Sequence, residues 1–179
     1  MKKVLALVLM LCLLCGGAAM AEDLEQLLAM SWDELVPNLP AMGIDGGYDT
    51  LDMLGLQLYI PSTLSKVEVS AEDAAAGRLA CYASSDGTGY LVVDAVNMAD
   101  MTIDQWYETL NATETMSDVR MDSINGLGVV IYKNNATDLW VCSLVDTNSN
   151  VITFAMGPAS DESSEFVFNL LMKSLKPAE

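Results

Sequence analysis

Asp45, Asp49 and Asp52 fall within the turn-rich stretch 43–54 and carry the hard oxygen ligands that a calcium ion prefers. Their spacing departs from the alternate acidic positions of an EF-hand loop, so a solvated turn is the simpler expectation. A second oxygen-rich run holds Asp94, Asn97, Asp100 and Asp104. Asp104 follows Thr102 into a helix first turn, where the helix dipole favours an acid whether or not an ion is bound. No metal is assigned on this pattern, and the three aspartates between 45 and 52 remain the candidate ligand set.

Histidine is absent from the chain. That removes Ser-His-Asp and Cys-His catalysis, imidazole bases and His-containing zinc sites. An enzyme built from these residues would have to rely on carboxylates, lysine or tyrosine, and no recognisable spacing of them occurs. A non-enzymatic domain binding a protein or small molecule, with no cofactor, is the first reading. A carboxylate-based hydrolase and a calcium-dependent surface protein are the alternatives. In the hydrolase, paired acids would stand about 5–5.5 or 6.5–9.5 Å apart across a cleft.

Four cysteines occur, at 12, 15, 81 and 142. Cys81 and Cys142 lie inside apolar, strand-like runs, and could pair or serve as separate core thiols. Pairing needs Cα atoms within about 7 Å; separate thiols are the expectation. Among the aromatics, Trp106 and Trp140 read as core. Trp32, in a segment that looks peripheral, is the candidate partner contact. Asn111-Ala112-Thr113 and Asn135-Ala136-Thr137 match the glycosylation pattern, which chance also explains.

The first residues read as a targeting leader. Lys2 and Lys3 precede an apolar run from Val4 to Leu14, and Ala19-Met20-Ala21 supplies the small residues of a cleavage site before Glu22. The run is shorter than the roughly 20 residues a membrane span needs. Met10-Leu11 before Cys12 and Leu13-Leu14 before Cys15 make poor lipidation signals. Cleavage between Ala21 and Glu22 and a secreted or extracytoplasmic product are expected, with a lipid-anchored form as the rival.

Without the leader's two lysines the chain has 6 basic against 25 acidic residues, a formal charge of −19. Nucleic acids and anionic membranes would repel such a surface, because binding them relies on clustered Lys and Arg. The remaining 158 residues suit one self-sufficient domain, and a monomer is expected.

The elements that must position these residues follow from local pattern. Ser31-Trp32-Asp33-Glu34 and Thr102-Ile103-Asp104-Gln105 are capping boxes that predict helices from Trp32 and from Thr102 to about Leu110. Alternation predicts strands at 56–60, 79–83, 90–96, 119–124, 127–133, 138–145 and 151–156. Asn125-Gly126 is a hairpin signal. A last helix opens near Ser160, with Val167, Leu170, Leu171 and Leu175 on one face and Ser174 between them. Several strands, among them 139–145, are apolar on both faces, so both faces of the sheet need cover.

The predicted fold is therefore α+β. It has an antiparallel sheet of about six or seven strands with helices on both faces, an α/β/α sandwich. The expected division is a cleaved leader at 1–21, a helical appendage at 22–55 and the main domain at 56–176. The appendage, broken by Pro37 and Pro40, is expected to be dispensable for folding.

The order of these elements resembles the PsbP-like family. It rests on Leu58-Tyr59-Ile60-Pro61, Thr102-Ile103-Asp104-Gln105-Trp106, Asn125-Gly126 and the closing Leu171-Met172-Lys173-Ser174-Leu175-Lys176. The resemblance covers roughly residues 56 to 176 and implies the sandwich fold. It implies no catalytic residue.

Overall fold

The Asn125-Gly126 pair turns the chain as its residue types require. Asn125 (φ 50°) and Gly126 (φ 82°) both adopt the left-handed conformation of a tight hairpin turn. They join strands β6 (Met116–Ile124) and β7 (Leu127–Asn134). The computed structural model describes residues 29–40, 43–161 and 164–178. The expected cleavage site at Ala19, Ala21 and Glu22 lies outside the described residues.

Chain order before β6 is α1 (Trp32–Leu35), β1 (Gly46–Leu51), β2 (Leu56–Pro61), β3 (Leu64–Val67), α2 (Ala71–Ala75), β4 (Arg78–Ser84), β5 (Tyr90–Asn97) and α3 (Ile103–Asn111). After β7 come β8 (Leu139–Val145), β9 (Asn150–Gly157), α4 (Ser164–Met172) and β10 (Lys176–Pro177). The large sheet has seven strands in the order β3-β4-β5-β9-β8-β7-β6, and its paired neighbours run antiparallel. A second sheet, β1-β2-β10, has three.

Two cores form because the central strands are apolar on both faces. On one face, Val92, Val130, Tyr132, Val141 and Ala155 pack with Leu110 of α3. On the other, Leu91, Val93, Ile131, Cys142 and Phe154 join Phe168, Leu171 and Met172 of α4 and Leu56 and Leu58 of β2. Both faces are covered, and the predicted α+β sandwich stands.

The expected boundary near Leu56 does not match the packing. Trp32, Leu35, Leu39 and Leu51 belong to the same core as α4 and the large sheet. Moreover, β1 pairs with β2 over six residues, from Gly46↔Pro61 to Leu51↔Leu56. The segment read as an appendage buries its apolar residues where a folded domain would. Its α1 is only 4 residues long, so that burial, rather than helix propensity, holds it in place.

Strand membership also differs from expectation. The strand at 56–60 lies in the small sheet, not the main one, and β3 takes the edge place beside β4. Strands β1, β3 and β10 carry no clear alternation. Each gains its order from backbone pairing at a sheet edge.

Candidate functional site

Arg120 sits two residues past a bulge in β6. The register against β7 shifts between Ser117 and Arg120, and Asp118 takes a left-handed φ of 55°. A bulge of this kind re-aims the side chains that follow it. Beyond it Arg120 faces Ile131 across the ladder and reaches α4, where its Nη2 donates to Asn169 Oδ1 at 3.0 Å.

A groove of about 350 Å³ opens here, between the segment leading into α1, the β6–β7 hairpin and α4. Its floor and inner wall are buried apolar side chains, Trp32, Ile124, Ile131 and Met172. Its rim is polar, with Ser31, Arg120, Asp122, Ser123, Asn125, Asn169 and Lys173. Hydrogen bonds brace the walls. Lys173 Nζ donates to the Met30 carbonyl at 3.2 Å, tying the N-terminal segment to the end of α4. Asn125 Nδ2 donates to the carbonyls of Lys173 (3.1 Å) and Leu175 (2.8 Å), satisfying acceptors that the helix end leaves open. Glu34 Oε2 accepts from the Ser31 N–H and O–H at 2.8 and 2.7 Å. The hydroxyl bond, then the backbone one, holds the Glu34 carboxyl below its ordinary value.

Trp32, the candidate partner contact, is only 6% exposed. Its ring packs against Tyr59 (5.3 Å between centroids) and Tyr48 (6.4 Å), with Lys176 Nζ 4.6 Å above the Tyr48 ring. It serves as a packing residue that also walls the groove.

Asp45, Asp49 and Asp52 do not come together as ligands. Asp49 Oδ2 accepts from Lys66 Nζ at 2.8 Å and Tyr82 Oη at 2.7 Å, linking β1 to β3 and β4. Asp52 heads a 3-10 turn (Asp52–Leu54), and the Asp45 carbonyl accepts from Ser62 N–H. Among the described residues no group of three or more Asp, Glu, Cys or His could hold a metal ion.

Cys81 and Cys142 are both free thiols. Cys81 lies in one row with Val92, Ala155 and Val141, while Cys142 pairs with Phe154 on the opposite face. Three strand spacings, about 14 Å, also separate β4 from β8. A disulfide between them is therefore geometrically excluded. Burial pushes the Cys142 thiol up to about 12.

A broader, shallower depression lies beside the first turns of α3, lined by Asp100, Asp104 and Glu108 among others. It has no buried floor. Thr102 and Gln105 are occupied there in the predicted capping box, with Thr102 N–H donating to Gln105 Oε1 at 2.9 Å and Gln105 N–H to Thr102 Oγ1 at 3.3 Å.

Sequence reasoning missed Arg120, Asn169 and Lys173. Their signal was a lone cation in a strand and a polar pair on the last helix of a strongly acidic chain. No local pattern says that the three converge.

No family model and no curated protein matches the chain. The solution structure of cyanobacterial PsbP (CyanoP) from Synechocystis sp. PCC 6803 superposes with a TM-score of 0.50 at 15% identity, over 75% of this chain and 92% of that one. A crystal structure from Bacteroides thetaiotaomicron VPI-5482 superposes with a TM-score of 0.44 at 14% identity, covering 75% and 50% respectively. The first likeness shows that the fold is PsbP-like, as the residue motifs implied.

Proposed function

We propose that this PsbP-like fold serves as a non-enzymatic, extracytoplasmic binding domain whose recognition surface is the groove between the α1 segment, β6–β7 and α4. The observation that carries the reading is the groove's make-up, a buried apolar floor under a polar rim. Small-ligand sites combine these two features, the floor supplying affinity and the rim orientation.

The most strongly perturbed of the buried groups support binding over catalysis. Tyr82, pushed well up by burial and by Asp49, joins two sheets, and Cys142 is sealed in the core. Neither lines the groove. The absence of histidine points the same way. Export is supported by the leader-like pattern from Lys2 to Ala21. Intact-mass analysis of exported protein should find an N-terminus at Glu22; a mass that retains an acylated Cys15 would replace the free form by an anchored one.

The binding surface is tested by mapping small fragments with amide chemical shifts. Perturbations should gather on Ser31, Ser123, Asn125, Asn169 and Lys173. Hits that gather instead on the α3 face around Asp104 and Glu108 would move the site away from the groove.

A further inference from the structure

Arg120 and Lys173 are the groove's two cations, in a chain with 25 acidic and 8 basic residues. Elsewhere in the fold Lys66 bonds Asp49 at 2.8 Å and Arg78 bonds Asp94 at 2.8 Å, whereas Lys133 donates to the Ala159 carbonyl at 3.2 Å. Among the described residues, Arg120 and Lys173 form no ion pair with a carboxylate. Their partners are an amide oxygen, Asn169 Oδ1, and a main-chain carbonyl, that of Met30. Such neutral dipoles orient a charge without cancelling it. Asp122 lies on the same rim, yet neither cation forms an ion pair with it among the described residues.

We propose that the groove binds a carboxylate joined to an apolar group, the chemistry shared by the last residue of a peptide and a small organic acid. This inference rests on the groove being the recognition surface. Both cations are half-buried on the rim of one groove, so an anion bound there meets two positive charges in surroundings less screening than bulk water. Arg120 has one bond committed, leaving guanidinium donors in the planar fork that matches a carboxylate. Lys173 has one of three donors committed. Below them the groove is lined by Trp32, Ile124, Ile131 and Met172, so that an apolar group entering it would meet apolar atoms rather than charges.

Stabilisation of the helix end accounts for Lys173 alone, since a cation near the end of α4 suits the helix dipole. Arg120, which comes from β6, braces α4 through Asn169 with a single bond, and that role leaves its other guanidinium donors uncommitted. Asn125 already satisfies two carbonyls at that helix end, which reduces the negative field an incoming anion would meet.

The test compares N-acetyl-leucine with N-acetyl-leucinamide, a pair differing in the charge of one group, by NMR titration of the full mature chain. The acid should shift the Arg120 Nε–H, the Asn169 side-chain amide and the Trp32 indole signals, and the amide should bind at least about tenfold more weakly. Raising the salt from 50 to 500 mM should weaken the acid and leave the amide unchanged. R120Q and K173Q should each cost the acid about tenfold, with near-UV circular dichroism reporting that the fold is kept; the salt series on the unaltered protein stands if either variant misfolds. Equal binding of acid and amide overturns the carboxylate inference and leaves the groove reading intact. Inorganic phosphate shifting the same signals while the acid does not also overturns it. Acid-induced shifts confined to other surfaces, with no fragment reaching the groove, sink both.

Discussion

At Ser174 one hydroxyl joins two layers of the molecule. Its Oγ accepts from Tyr59 N–H at 2.9 Å and donates to the Leu171 carbonyl at 2.6 Å, in full burial. Ser174→Ala would leave the β2 amide buried without a partner and should cost about 1–3 kcal/mol, read as a lower denaturation midpoint at unchanged m-value. The sequence shows Ser174 among leucines; its partner, 115 residues away, is set only by the fold. Asp49 behaves differently. Burial raises its pKa, and the bonds from Lys66 and Tyr82 together outweigh that effect, so the net shift is downward. A carboxylate depressed in the folded state adds stability above its unfolded value of about 4, and that stability is lost as pH falls through the folded value. Asp49→Asn should therefore flatten the loss of thermal stability between pH 5 and 3, and an unchanged acid limb would remove Asp49 from that role. The thiols offer a third check. Iodoacetamide at neutral pH should modify half-buried Cys81 and spare Cys142 until the protein unfolds.

Among the elements, helices announced themselves through caps and hairpins through turns. Thr102–Gln105 forms the reciprocal box that its residues predict, and Asn125-Gly126 the predicted turn. Edge strands did not. Gly46-Gly47 opens β1 and Pro177 ends β10, residue types depleted in strands, and β3 exposes most of its side chains. Pairing supplies what propensity withholds, and pairing is a property of two segments at once. The α1–β1 segment is the sharpest case. Expected to be expendable, it places Trp32, Leu35 and Leu39 in the main core. Deleting residues 22–50 should give a molten or insoluble chain, judged by near-UV circular dichroism and dye binding, since it also leaves β2 with one short partner. Recovery of a cooperative transition only a few degrees lower would restore the appendage reading.

At the level of the whole molecule, one continuous core connects the N-terminal segment, the small sheet, α4 and one face of the large sheet. Such a chain should unfold as a unit. Trp32, Trp106 and Trp140 report from the N-terminal segment, α3 and β8, so fluorescence of variants keeping one tryptophan each should give coincident thermal midpoints. An earlier midpoint for Trp32 alone would mean that the segment detaches first and the groove loses a wall before the domain melts.

Composition and short-range pattern settled the fold class, because a sheet apolar on both faces has few ways to hide itself and because caps and tight turns are read within four residues. They also removed imidazole chemistry outright. What tertiary structure alone decided was convergence. Arg120, Asn169 and Lys173 meet at one groove, Asp49 is spent on Lys66 and Tyr82, and the two cysteines are set on opposite faces of one sheet. Each outcome depends on register between strands distant in sequence, where a shift of one residue exchanges the faces of a whole strand. No local pattern encodes that choice; it is made by burying all the apolar faces at once.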